Sequence, residues 1–193
     1  MTSMDADAQT ELARLELPSR GNVGLRVVFV RVGDRVAHRC ELLRQGELPQ
    51  TILESVEGTA AELWPASPPL QQLHVEERAG GQRVALLVGM AGRGHWSLVV
   101  EPTSDHRGFV FDAACRFSAP AELLGSTYRW LMPSAECAVT VTMELPPVLA
   151  SRSTAQLLDD AALRLQWQPA TARLPATERW KYCVRLGDEV SAS

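Results

Sequence analysis

Between Gln82 and Phe117 the chain runs in three segments, QRVALLVGMA, HWSLVVEP and GFVFDAACRF, each alternating apolar with polar or small residues. A period of two is the mark of a strand with one face buried, and the glycine-containing breaks at Gly92-Arg93-Gly94 and PTSDHR-Gly108 mark turns. The run therefore predicts an antiparallel meander. With PTSDHR as the second loop, Glu101 faces Gly108, Ser97 faces Asp112 and His95 faces Ala114. Trp96, Leu98 and Val100 then share an inward face with Phe109, Phe111 and Ala113. The outward face carries His95, Ser97, Glu101, Asp112 and Arg116.

Similar alternation recurs along the chain. LRVVFVR and RVAHRCELL flank Val32-Gly33-Asp34 as a hairpin with a short loop, and TILESVEG follows as a further strand or the approach to a loop. Pro65, Pro68 and Pro69 in ELWPASPPL remove ladder donors, which predicts a crossing between sheets rather than a central strand. LQQLHVEER, STYRWLM, ECAVTVTMELP, ALRLQWQP and ERWKYCVRL read as strands. STAQLLDDAA (153–162) reads as a short helix capped by Ser153 or Thr154, and SAPAELLG as one helical turn. Residues 1–22 read as a flexible or partly helical tail, with a weak helical repeat at Leu12, Leu15 and Leu17, and 189–193 as a disordered end.

Together these elements predict an all-β antiparallel sandwich spanning 23–188, with about nine to eleven strands and one or two short helices. Jelly-roll-like and immunoglobulin-like topologies fit the pattern equally. Over 193 residues such a chain buries roughly 70% of its unfolded surface, so no disulfide or metal staple is required. Cys40, Cys115, Cys137 and Cys183 show no paired ligand spacing and are expected as free thiols.

The net charge of −4 gives no electrostatic case for nucleic acid or an anionic membrane. Eighteen of the nineteen basic residues are arginine, and Lys181, Asn22 and Ile52 are the only residues of their types. That trio of shortages reads as the codon bias of a GC-rich bacterial genome, not as selection for guanidinium chemistry. The N-terminus has acids where a secretory leader has a basic and then an apolar stretch, so the cytoplasm is the expected compartment.

Candidate chemistry concentrates on the meander. Ser97, His95 and Asp112 are the residue types of a nucleophile, base and orienting acid, but no nucleophile elbow or oxyanion hole accompanies them. His74, His95 and His106 with Asp105, Asp112 and Glu101 supply metal donors without ligand spacing. GMAGRG resembles a phosphate loop only superficially, because strand follows it where a helix N-terminus is needed, and its glycines read as hairpin formers. Arg93 at the tip remains free to meet an anion. Trp96, Trp130, Trp167 and Trp180 read as core, whereas Trp64 lies in a proline-rich loop and is the candidate exposed ring.

The resulting expectation is a non-enzymatic binding or assembly module, partnered by another protein or by itself. It has no cofactor, metal or catalytic residue, and Trp64, Arg93, His95, Asp112 and Arg116 are its candidate ligand-binding residues. The alternatives are a small-molecule binder or enzyme using the face around His95, Asp112 and Arg116, and a carbohydrate-binding module using Trp64 and Tyr128.

Overall fold

The structure, a computed structural model, describes residues 10–19, 21–131, 139–143, 152–158, 162–169 and 173–187. Two antiparallel sheets face each other across one continuous apolar core. The larger sheet runs, in spatial order, through β1 (Thr10–Glu16), β2 (Val23–Val32), β3 (Arg35–Arg44), β4 (Gln50–Ser55), β9 (Leu124–Trp130), β12 (Ala162–Trp167) and β11 (Ser153–Leu157). The smaller runs through β10 (Val139–Met143), β13 (Ala176–Leu186), β8 (Gly108–Phe117), β7 (Gly94–Pro102), β6 (Gln82–Ala91) and β5 (Leu70–Arg78). The fold is an all-β sandwich, with thirteen strands among the described residues. Among those residues no helix is long and apolar enough to cross a membrane.

Alternation decides which side chains meet in the middle. Val27 and Phe29 of β2 and Leu53 of β4 face Trp96, Leu98 and Val100 of β7 and Phe109, Phe111 and Ala113 of β8. Trp167, Trp180, Tyr128 and Tyr182 fill the remaining thickness, each almost wholly buried. On the outer side of the larger sheet, Val28, Val30 and Ala37 form a small second cluster. There the carboxylate of Glu41 is held by Arg26 and Arg39 at 2.5 and 2.6 Å.

Three expectations are corrected. Residues 10–16 do not belong to a flexible or helical tail: they form edge strand β1, paired with β2 from Thr10↔Arg31 to Glu16↔Arg26. Leu15 and Leu17, two apart, both enter the core, while Leu12 falls at a bulge and stays 39% exposed. The true period was therefore two, and the free edge of β2 selected it. Ser153–Leu157 is likewise strand, pairing with β12 instead of forming a helix. No helical turn forms at residues 118–125, whose last two residues begin β9. The tails 1–9 and 189–193, and Cys137, lie outside the described residues.

The meander's faces are as expected, but its register is offset by two residues. His95 pairs with Arg116, Ser97 with Ala114, Val99 with Asp112 and Glu101 with Val110. Pro102 and Thr103 extend the ladder, with Thr103 N–H donating to Gly108 O at 2.8 Å, so the loop shrinks to residues 104–107. Asp105 stabilises that loop by accepting from Thr103 Oγ1 at 2.6 Å and from the Arg107 amide at 3.2 Å. A two-residue offset keeps every side chain on its face and changes only its partners.

Candidate functional site

The segment from β4 to β5 crosses from one sheet to the other at the end of the sandwich where β6 turns into β7. It is pinned along β9, where Thr127 N–H donates to Ser67 Oγ at 3.0 Å and Thr127 Oγ1 donates to Ala66 O at 2.9 Å. It also lies against β6. A Cβ built on Gly89 would sit 1.9 Å from Pro69 O, so only glycine admits the crossing there. At the tip, Gly92 adopts φ +52° and Leu63 lies over it, a Cβ on Gly92 falling 2.7 Å from Leu63 Cδ2.

This packing places Trp64 edge-on to two core rings, with centroids 6.3 Å from Trp96 and 5.8 Å from Phe117. Trp64 is half-buried, neither free nor fully enclosed. In front of it opens a cleft of about 440 Å³ lined by Leu63, Trp64, Ala91, Gly92, Phe117 and Ala119, with Arg93 its only charged side chain among the described residues. Leu63 is 60% exposed at its edge.

A second cleft of about 580 Å³ adjoins it and shares Arg93 and Phe117. Its other walls are His95, Arg116, Ser118 and Pro175. Among the described residues, the side chains of Arg93, His95 and Arg116 make no hydrogen bond or ion pair. Elsewhere the arginines are commonly committed: Arg152 to Glu178, Arg179 to Asp112 and Arg129 to Glu54. Among the described residues no acid lines either cleft. Trp64, Arg93, His95 and Arg116 thus fall along one rim, although they come from a loop, a turn and two strands.

Asp112 does not join them. It lies opposite Val99 on one side and Lys181 on the other, four residues along β8 from Arg116, or roughly 13 Å at strand rise. Its carboxylate is bound by Arg179 and by Lys181 Nζ at 2.9 Å. Burial opposes its charge, but those two cations hold its pKa below the ordinary value. Ser97, His95 and Asp112 therefore occupy three separate rows of the sheet and form no triad. Tyr128 is wholly buried and presents no surface to a sugar ring, so it forms no stacking platform with Trp64.

Sequence reasoning missed a polar chain inside the sandwich. His38 Nε2 lies 2.7 Å from the Tyr128 hydroxyl, which lies 2.5 Å from that of Tyr182. His38 also stacks on Phe111 at 5.5 Å. Burial lowers the His38 pKa to about 4, so the imidazole is neutral. Its backbone N–H donates to Ser55 Oγ, which donates to Glu57 Oε1 at 2.6 Å. Glu57 is only half-buried as a residue, but its Oε2 is enclosed without a partner. Burial raises that carboxyl to about 7, against smaller lowering by the Ser55 bond and Arg35. Partners 54 and 90 residues apart leave no local signal in a sequence.

His74 and His106 are exposed, on β5 and in the β7–β8 loop. Among the described residues no three His, Cys, Asp or Glu side chains converge as a metal site. No family model, no curated protein and no solved structure matches this chain.

Proposed function

We propose that this protein is a non-enzymatic binding module whose ligand-facing surface is the rim where the β4–β5 crossing meets the β6–β7 turn. One observation carries the reading: two adjoining clefts share Arg93 and Phe117, one walled by apolar side chains and the other by arginines that have no partner among the described residues. Concave apolar surface with a few convergent polar groups is the usual form of a small-ligand site. Guanidiniums beside it, with no partner among the described residues, supply orientation.

Catalysis finds less support in the same geometry. His95 is exposed and, among the described residues, has no acid to orient its ring as a general base's would be. Cys115, near the rim, is a buried thiol whose pKa burial pushes up to about 12, which leaves it protonated and unreactive. The buried free thiols of Cys40 and Cys115 fit a reducing, cytoplasmic setting.

The test is a thermal-shift and tryptophan-fluorescence screen against a panel of small anions, cations, sugars and apolar compounds. Hits that depend on Arg93, Arg116 or Leu63 support the reading. Hits indifferent to all three residues, or ester turnover abolished by His95→Ala, would overturn it.

A further inference from the structure

Resting on that reading, we infer that the rim takes an amphiphilic carboxylate: a small molecule with its apolar tail along Leu63, Trp64 and Phe117 and its carboxylate on Arg93 and Arg116. The two clefts differ in kind and meet at a shared wall, so a ligand spanning both needs an apolar end and an anionic end in a fixed order. Arginine presents a planar fork that matches a carboxylate bidentately, and two forks with no other partner among the described residues gain most from such a group.

The alternatives fit less well. A cationic head would meet Arg93, His95 and Arg116 with no acid among the described residues to receive it. A sugar needs donors and acceptors for its hydroxyls, whereas among the described residues Arg93 is the only charged side chain in the cleft containing Trp64. A volume of about 440 Å³ suits a small molecule and not a peptide helix. Burying Leu63, left 60% exposed, and the Trp64 face adds affinity with each methylene of the tail.

The experiment is a calorimetric titration of the full chain with decanoate, hexanoate, decanol, decyltrimethylammonium and acetate, below their aggregation concentrations. Decanoate is expected to bind once per chain, about tenfold or more tighter than decanol or the ammonium, and tighter than hexanoate by several-fold. Arg93→Ala and Arg116→Ala are each expected to weaken decanoate about tenfold and leave decanol unchanged. Leu63→Ala weakens both. All three side chains are exposed, and circular dichroism checks that the variants fold.

Equal binding of decanoate and decanol, or indifference of decanoate to both arginine substitutions, overturns the assignment of the ligand. If decanoate fails but another panel compound binds in an Arg93-dependent manner, only the ligand class falls and the binding-module reading stands. If nothing in the panel binds at the rim, both fall.

Discussion

The Tyr128 and Tyr182 hydroxyls meet at 2.5 Å between the two sheets, one reaching in from β9 and the other from β13. Tyr128 also serves His38 Nε2, so the two tyrosines are not equivalent. Removing the Tyr128 hydroxyl leaves the buried His38 Nε2 without its partner, at about 1–3 kcal/mol, whereas removing that of Tyr182, which also bonds Ser126, leaves the Tyr128–His38 bond in place. Tyr128→Phe should therefore lower unfolding free energy in urea by more than Tyr182→Phe does. Equal losses would show that His38 does not depend on Tyr128.

The pH dependence of stability follows from His38 and Glu57, which pull in opposite directions. The unfolded imidazole titrates near 6.5 and the folded one near 4, so acid favours the unfolded chain and stability falls as pH drops through that window. The Glu57 carboxyl moves from 4.5 to about 7, so the folded chain holds the extra proton and stability falls as pH rises through that window. Each shift corresponds to about 3 kcal/mol, and the two largely cancel between pH 4.5 and 6.5. Glu57→Gln should unmask a loss of stability on acidification from pH 6.5, and His38→Gln a loss on raising the pH toward 7. Urea titrations across this range distinguish the slopes; unchanged slopes in both variants would contradict the assignment.

Asp112 separates structural charge from ligand-facing charge. Its partners Arg179 and Lys181 lie on the outer face, 65% and 37% exposed, so solvent screens the pairs. Asp112→Asn should cost about 1 kcal/mol in stability while leaving rim binding unchanged. Arg116→Ala should do the reverse, with little effect on stability and a clear loss of binding. A binding defect in Asp112→Asn would place the site on the sheet face instead of at its end.

Two glycines should respond very differently to one methyl group. At Gly33, with φ +56° and open space around it, alanine pays only the left-handed backbone penalty of about 1–2 kcal/mol. At Gly89 the same methyl would collide with Pro69 O and lie 2.8 Å from Leu70 Cα, both backbone atoms. Gly89→Ala should therefore be the more destabilising by thermal melting and should also loosen the crossing that carries Trp64. Comparable melting temperatures for the two variants would mean the crossing yields freely.

What the sequence revealed and what it hid divide along one physical line. Faces are a local property: the inward set Trp96, Leu98, Val100, Phe109, Phe111 and Ala113 was readable because alternation records it residue by residue. Partners are not. The slip that set His95 opposite Arg116 instead of Ala114 moves no side chain to the other face, so alternation carries no trace of it. Edge strands β1 and β11 were missed because short amphipathic segments fit two periods until a neighbouring edge chooses one. Trp64 and Arg93 stood out individually, but their meeting with Phe117 depends on the crossing settling against Gly89, a contact across the fold.

A ¹H–¹⁵N correlation spectrum of the protein titrated with decanoate tests whether the ligand sits at the rim. Binding at the rim gives saturable shifts of the Trp64 indole, the Gly92 and Gly94 amides and the Arg93 and Arg116 side chains. The Gly80 and Gly81 amides, at the other end of β6, should stay still. Shifts centred on Gly80 and Gly81, or spread evenly over both ends without saturation, would contradict it.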